Sequence, residues 1–264
     1  MTARDALEAA AAAIAAAGCE TPRLDAELLI ADALAVDRAV LHSEPDLPIA
    51  GAQARVISER VRRRVAREPV AYILGRQGFR HIELAVDSRA LIPRPETELL
   101  VEVALELPEG ARVHEVGTGS GAVALALLDE RPDLAVSASD ASPAAVELAR
   151  LNAARLGVRL VVDHVRGLPA GEWELVIANL PYVREDEWDG LQPEIRGYEP
   201  REALVSGADG LHAIRSLVAE APPGVRLALE HAPVQAGAVR ALLRGAETRS
   251  DLAGRERVTV GTAP

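Results

Sequence analysis

Apolar residues over the first 75 positions recur at the three- and four-residue spacing that is typical of amphipathic helices. Three segments have this pattern: residues 5–17, the stretch "LDAELLIADAL" and residues 53–67. Glycines and prolines separate the segments, as expected where helices begin and end. We therefore predict a small N-terminal helical domain, a bundle, over residues 1–75.

A looser alternation of apolar and polar positions follows in residues 76–95. Its apolar members are Phe79, Ile82, Leu84 and Val86. Alternation of this kind is typical of a short β-hairpin, which would end at the prolines of "IPRPE". We interpret the hairpin as a linker to the next domain.

Strand-length apolar runs alternate with helical segments over residues 96–264. The runs predicted to form strands are "ARVHEV", "LAVSASD", "VRLVVD", "WELVIAN", "VRLALE" and "RERVTVG". One intervening helix has clear limits, because Ser142 is a good N-cap, Pro143 suits the first position and Gly157 suits the end. The alternation predicts an α/β fold with a doubly wound, mostly parallel sheet. Ligands of such sheets bind beyond the carboxyl ends of the strands.

The composition is that of a folded chain, and we expect a cytoplasmic protein. Hydrophobic residues make up 49% and charged residues 26%, which excludes a disordered or collagen-like chain. The longest apolar stretch, residues 9–17, is too short to span a bilayer. A single cysteine, Cys19, allows no internal disulfide and no cysteine-based zinc site. We therefore predict no membrane contact and no metal.

The formal net charge is −11 at pH 7, which disfavours a protein that must neutralise many phosphates. A basic run, "RVRRRVAR" in residues 60–67, is the exception. Two interpretations stay open for it: a solvated helix face, or a patch for an acidic or RNA partner.

A glycine-rich loop separates the strand "ARVHEV" from the following helix. The loop consists of Gly117, Thr118, Gly119, Ser120 and Gly121. Glycine lets the backbone approach a ligand closely, and the helix N-terminus offers unpaired N–H groups. Asp140 ends the next strand, where a carboxylate can bind the two hydroxyls of a ribose. A purely structural role, as a capping residue ahead of the next helix, stays open for Asp140.

The charge of Glu115 separates two classes of cofactor. A dinucleotide brings a pyrophosphate, which a carboxylate beside the loop would repel, and its fingerprint has a different glycine spacing. The same carboxylate would attract the sulfonium or ammonium group of S-adenosylmethionine. The loop therefore predicts S-adenosylmethionine as the cofactor, although Glu115 could also be a solvated strand end.

The stretch "ANLPYV" ends another apolar run with an amide, a proline and an aromatic residue. The side chain of Asn179 can accept and donate hydrogen bonds, and Pro181 has no N–H, which leaves the carbonyl of Leu180 free. Tyr182 adds a flat ring. These groups suit a planar –NH2 group, whose two hydrogens would go to the Asn179 oxygen and the Leu180 carbonyl. Fixing a weakly nucleophilic amide nitrogen in this way can contribute roughly 7–11 kcal/mol to catalysis.

With these motifs the chain resembles the class I methyltransferases that modify a glutamine of peptide chain release factors, the release factor glutamine N5-methyltransferases. The resemblance extends over nearly the whole chain. It comprises "LDAELLIADAL", "EPVAYILG", "LIPRPETELLVE", "EVGTGSGAVALAL", "SDASPAAVELARLNAARLG", "VIANLPYV" and "QPEIRGYEPREALVSGADGL". The motifs of the first domain and "IPRPETE" are specific to this family, whereas the glycine loop and the Asn-x-Pro-Tyr box also occur in DNA adenine methyltransferases.

The resemblance implies a Rossmann-like sheet of seven strands over residues 96–264, after the substrate-recognising helical domain and the hairpin. It implies transfer of a methyl group from S-adenosylmethionine to N5 of a release factor glutamine in the cytoplasm, and we expect a monomer. The implied cofactor-binding residues are Glu115, Gly117, Thr118, Gly119, Ser120, Gly121, Asp140, His164 and Asn179. The implied substrate-binding residues are Asn179, Leu180, Pro181 and Tyr182, of which Asn179, Pro181 and Tyr182 are the catalytic ones.

This chain departs from the family pattern at three places. Leu180 stands where the family usually has proline, and His164 stands where a large apolar residue often follows an acid. The stretch "LALEHAPVQ" lacks the usual glycine after its glutamate, and we assign no function to Glu230 or His231.

Three other functions stay open on the sequence alone. A DNA adenine N6-methyltransferase could use the same box, but the net charge and the 2% of aromatic residues disfavour DNA and base flipping. A non-catalytic relative would bind cofactor or protein without turnover. A third enzyme would methylate a glutamine of a different protein.

Overall fold

Eleven α-helices and nine β-strands form the fold in the computed structural model, which describes residues 1–264. The helices are α1 (Ala3–Ala16), α2 (Pro22–Leu34), α3 (Arg38–Ser43), α4 (Gly51–Val65), α5 (Val70–Leu74), α6 (Glu98–Leu105), α7 (Ala122–Glu130), α8 (Pro143–Leu156), α9 (Pro193–Tyr198), α10 (His212–Glu220) and α11 (Ala236–Leu242). The strands are β1 (Arg76–Phe79), β2 (Ile82–Ala85), β3 (Arg112–Val116), β4 (Ala135–Asp140), β5 (Val161–His164), β6 (Leu175–Ala178), β7 (Arg226–Glu230), β8 (Arg244–Ser250) and β9 (Glu256–Thr262). None of the helices combines the length and the apolar character that crossing a membrane requires.

The chain divides into two units. The helical unit comprises Met1–Gly75 together with Gln192–Tyr198, and the sheet unit comprises Arg76–Leu191 together with Glu199–Pro264. The hairpin of β1 and β2 belongs to the sheet unit.

The core of the helical unit lies between α1, α2 and α4 and includes the buried residues Ile14, Leu29 and Ile30. The side chain of Thr2 caps α1 by accepting from the backbone N–H of Asp5 at 3.2 Å. The three predicted helices of this unit are confirmed. The short helices α3 and α5 were not predicted, because five or six residues are too few to show a helical period.

The basic run of residues 60–67 is held in ion pairs within the helical unit. Arg64 is buried, and its guanidinium lies 2.7 Å from Asp25 and 2.8 Å from Glu194. Glu194 also binds Arg67. The interpretation as a solvated face is therefore wrong for Arg64, whose charge is used inside this unit.

A seven-stranded sheet organises the second unit, in the order β5-β4-β3-β6-β7-β9-β8. The strands β5, β4, β3, β6 and β7 are parallel, and β9 pairs antiparallel with both β7 and β8. All four residues of β6 are buried, which requires cover on both faces of the sheet. The predicted fold class, doubly wound and mostly parallel, is confirmed. Strand β8 was not predicted, because it is an edge strand with no fully buried residue and so shows no apolar run in the sequence.

Strand order and register bring the sequence motifs to one edge of the sheet. In the parallel pairs, Val116 of β3 lies opposite Ser139 of β4 and Ala178 of β6. The carboxyl ends of these three strands are therefore level, and the strand order is not sequential between β3 and β6. Such a switch point is where ligands bind in open α/β sheets. We call this edge the carboxyl edge.

Candidate active site

A cavity of about 590 Å³ lies at the carboxyl edge, and all of its wall belongs to the sheet unit. Its wall includes the glycine loop after β3, the end of β4 and the first residues after β6. The predicted site residues that line it are Glu115, residues 117–120, Asp140, Asn179, Leu180 and Pro181. Three segments that lie far apart in the sequence are thus brought together.

The glycine loop runs between β3 and α7 with a conformation that suits glycine. Gly117, Gly119 and Gly121 all have positive φ, at 75°, 58° and 86°. The carbonyl of Ser139 on β4 accepts from the N–H groups of Gly117 and Thr118, at 2.9 and 3.0 Å. These bonds fix the loop against the neighbouring strand.

Glu115, in β3 just before the loop, binds the loop and the first turn of α7 through hydrogen bonds. Its Oε2 accepts from the Thr118 hydroxyl at 2.6 Å and from the N–H of Ala124 at 3.0 Å. Burial raises the pKa of Glu115 to about 7, and the two hydrogen bonds oppose that shift. The group is not a solvated strand end. A cation in the cavity would favour its ionised form.

Asp140 binds the N-cap residue of the next helix and lines the cavity at the same time. Its Oδ1 accepts from the N–H of Ser142 at 2.8 Å, and its Oδ2 accepts from the N–H of Gly119 at 2.9 Å. Because a carboxylate has about four acceptor positions, two remain for hydroxyl groups of a ligand. Ser142 and Pro143 begin α8 as predicted.

Two hydrogen-bond acceptors without a partner lie in the Asn-x-Pro-Tyr box, residues 179–182, after β6. The side chain of Asn179 donates from Nδ2 to the hydroxyl of Thr97 at 2.9 Å, and its Oδ1 accepts no hydrogen bond from the protein. The carbonyl of Leu180 accepts none either. Both residues line the cavity. This wall can therefore accept two hydrogen bonds from a planar –NH2 group.

Tyr182 lies behind the wall rather than in it. Its hydroxyl is 3.4 Å from Oε1 of Glu230, and its backbone carbonyl accepts from Nε2 of Gln235 at 2.9 Å. Burial raises the pKa of the tyrosine hydroxyl further above its usual value, so the hydroxyl stays protonated. Tyr182 therefore does not line the cavity, although Asn179, three positions earlier in the chain, does.

His164 does not reach the cavity. The side chain is exposed, and its Nε2 lies 3.1 Å from the carbonyl of Ala141. The residues after it, Val165, Arg166 and Gly167, line the cavity instead.

The donor and acceptor set fits S-adenosylmethionine. Asp140 has free acceptor positions for ribose hydroxyls, and Glu115 can stabilise a positive charge. The loop has no arginine or lysine to balance a pyrophosphate, and the hydroxyl of Thr118 already donates to Glu115. The site chemistry therefore matches a positively charged adenosine cofactor better than a dinucleotide.

Known sequences resemble this chain from end to end. Residues 5–75 match the family model of the PrmC N-terminal domain, and residues 94–191 match that of the methyltransferase small domain. The release factor glutamine methyltransferase of Xylella fastidiosa (strain Temecula1 / ATCC 700964) is 43% identical over 96% of this chain and 98% of that protein. That of Coxiella burnetii is 40% identical over 91% of this chain and 92% of that protein. The chain belongs to the release factor glutamine methyltransferase family.

Solved structures agree with the fold of this family member. A methyltransferase from Pyrococcus furiosus superposes with a TM-score of 0.51 at 15% identity, over 80% of this chain and 97% of that one. At that identity the match concerns the fold alone. It supports the Rossmann-like class I architecture of the sheet unit.

Three residues that the sequence did not single out surround the box. Thr97 accepts from Asn179, Glu230 lies beside the Tyr182 hydroxyl, and Gln235 holds the Tyr182 carbonyl. Thr97 stands within the family-specific "IPRPETE" motif, which was the one sequence feature that could have identified it. Glu230 and Gln235 both stand in the stretch "LALEHAPVQ", to which no function was assigned from the sequence.

Proposed function

We propose that this protein transfers a methyl group from S-adenosylmethionine to the side-chain amide nitrogen, N5, of a glutamine in peptide chain release factors. The observation that carries the proposal is the pair of unused acceptors, Asn179 Oδ1 and the Leu180 carbonyl, in the wall of a cavity that also holds the glycine loop and Asp140. The relatives named release factor glutamine methyltransferase support the choice of substrate.

The bound cofactor would supply a methyl carbon made electrophilic by the sulfonium, and the residues of the glycine loop with Asp140 would hold it. Gly117, Thr118, Gly119 and Ser120 would contact it in the cavity, whereas Gly121 does not line the cavity and would act through the conformation of the loop. Glu115 would stabilise its positive charge through the loop. We do not include His164 in this set, because its side chain is exposed and does not line the cavity.

The box would act on the substrate nitrogen. Asn179 Oδ1 and the Leu180 carbonyl would each accept one amide N–H, so that the nitrogen faces the methyl carbon. Pro181 keeps the next backbone position free of an N–H, and Tyr182 holds the box from behind. The transfer would form an N–C bond to the substrate and break the C–S bond of the cofactor, and the extra proton on nitrogen would leave to water. No catalytic histidine is needed.

A protein substrate agrees better than DNA with the surface of this chain. The net charge is −11, and the buried arginine of the basic run is paired inside the helical unit. We therefore propose that DNA is not a substrate, that the helical unit recognises the release factor, and that the enzyme is a cytoplasmic monomer.

Transfer of labelled methyl groups tests the proposal. Purified enzyme is incubated with labelled S-adenosylmethionine and, separately, with release factors, ribosomal proteins and DNA. We expect label on a release factor glutamine, none with Asn179→Ala, and cofactor affinity of that variant within a few-fold of wild type. Label on DNA alone, or full activity of Asn179→Ala, would overturn the proposal.

A further inference from the structure

The orientation of the Asn179 amide decides whether the box can hold a substrate amide. Its oxygen can accept a substrate N–H, whereas its own –NH2 would oppose the substrate –NH2, donor against donor. The two orientations have nearly the same shape, so packing alone does not distinguish them. A hydrogen-bond partner must do so.

Thr97 is that partner, but a hydroxyl by itself is ambiguous. The hydroxyl of Thr97 is buried and lies 2.9 Å from Asn179 Nδ2. Because a hydroxyl can donate as well as accept, it could in principle face either end of the Asn179 amide. The direction depends on where the hydroxyl hydrogen goes.

Glu230 supplies an acceptor for that hydrogen. This glutamate is 1% exposed, and burial raises its pKa to about 7. The hydroxyls of Thr97 and Tyr182 lie beside the carboxylate, and their hydrogen bonds oppose that shift. Its Oε1 is 3.4 Å from the Tyr182 hydroxyl, and its Oε2 is buried without a hydrogen-bond partner. Where Glu230 is ionised, its carboxylate cannot donate, so a hydroxyl beside it turns its hydrogen toward it.

We propose that Thr97 and Glu230 are positioning residues, which lock Asn179 with its oxygen toward the substrate amide through the chain Asn179 N–H to Thr97 O–H to Glu230. With the Thr97 hydrogen directed to Glu230, only its lone pairs face Asn179, and they require Nδ2 there. This inference rests on the proposed function. It goes further by assigning the selection of a donor-rich –NH2 substrate to two residues outside the box.

The experiment removes the hydroxyl without changing the size of the side chain. Thr97→Val is compared with Thr97→Ser, and Thr259→Val is the matched control because Thr259 is also fully buried and hydrogen-bonded through its hydroxyl. The measurements are kcat and KM for methylation of a release factor, cofactor affinity by calorimetry, and the melting temperature.

We expect Thr97→Val to lower kcat on the order of 100-fold, as expected for a misplaced reacting group. Its cofactor affinity should stay within a few-fold, and Thr97→Ser should recover most of the rate. Glu230→Gln should also lower kcat with cofactor affinity preserved, because its –NH2 can donate to Thr97 and reverse the chain. A Thr97→Val enzyme with wild-type kcat, or a Thr97→Ser enzyme as slow as Thr97→Val, would overturn the inference. Absence of release factor methylation by the wild type would instead overturn the proposed function.

Discussion

The side chain of Leu180 packs against Gly117, and a Cβ added at Gly117 would lie only 3.0 Å from Leu180 Cδ2. One of the three positions at which this chain departs from the family pattern thus joins the substrate box to the cofactor loop. Leu180 also packs against the apolar cluster that includes Val116 and Leu211. Its side chain therefore has a packing role, and the chemical role that we propose for this residue belongs to its carbonyl.

Replacing Leu180 by proline should leave methyl transfer intact or raise it. The backbone N–H of Leu180 makes no hydrogen bond within the protein, so proline removes none, and it stiffens the backbone that presents the carbonyl. The check is kcat for release factor methylation, with Leu180→Ala as the control that loses the same packing without gaining the ring. A collapse of the rate in Leu180→Pro but not in Leu180→Ala would show that the ring distorts the box.

Gly210→Ala should disable the box from outside the cavity. Gly210 has φ +73°, and a Cβ there would lie 2.1 Å from the Tyr182 carbonyl oxygen and 2.6 Å from Gln235 Nε2. The substitution must therefore break the bond from Gln235 to Tyr182 or displace the box. We expect a loss of kcat on the order of 100-fold, since displacements of about 1 Å have such effects.

A matched variant separates the clash from backbone strain. Gly224→Ala has the same kind of strain, because φ is +84°, but nothing lies within 4 Å of the added Cβ. Both variants should lose some stability, and only Gly210→Ala should lose activity. Equal kcat values for the two variants would refute the role of the Gly210 contact.

Contiguous motifs were the part of the site that the sequence could predict. The glycine loop, Asp140 and Asn179 each follow an apolar strand, and parallel strands bring their carboxyl ends to one edge. The cofactor-binding residue expected at the end of β5 was harder to predict, because His164 ends that strand opposite Asp140 and is exposed. A shift of one residue at a strand end reverses the side that a side chain faces, and no pattern in a four-residue strand fixes it.

The supports of the box could not be predicted, because they depend on tertiary contacts. Thr97 is 82 positions from Asn179, and Gln235 is 53 positions from Tyr182. In the sequence, the first is a residue before a helix and the second a polar residue in a short turn. Only the sheet order, which places β7 next to β6, brings Glu230 to the box.

Arg64→Met should destabilise the helical unit. Arg64 has a side chain only 7% exposed and neutralises Asp25, which is buried, and Glu194. Removing one partner of a buried ion pair leaves a charge without compensation, which typically costs about 3–5 kcal/mol. Urea unfolding should show a loss of this order in the free energy of unfolding.

The control for this prediction is Arg62→Met on the same helix. Arg62 has a side chain 71% exposed and pairs with Glu59, and an exposed pair of this kind contributes little to stability. The double variant Arg64→Met with Asp25→Leu should regain part of the loss, because it removes the buried charge. If Arg64→Met and Arg62→Met unfold at the same urea concentration, the buried ion pair does not stabilise the unit.

Cofactor affinity should rise with pH up to about 7, and Glu115 should be the cause. Burial raises the pKa of Glu115 to about 7, so the group is largely neutral at pH 5 and ionised above pH 7. A sulfonium or ammonium in the cavity stabilises the ionised form and lowers this pKa, so binding releases a proton. Affinity then increases by at most about tenfold per pH unit between the pKa of Glu115 with the cofactor bound and its pKa in the free protein. Above the pKa in the free protein the affinity levels off. Calorimetry of S-adenosylmethionine binding between pH 5 and 8 measures this directly.

Two variants test the assignment to Glu115. Glu115→Gln should bind the cofactor more weakly at pH 8, and its affinity should no longer depend on pH in this way. Glu230→Gln should keep the pH dependence, because Glu230 has the same raised pKa but does not line the cavity. A slope that survives in Glu115→Gln would assign the proton to another group.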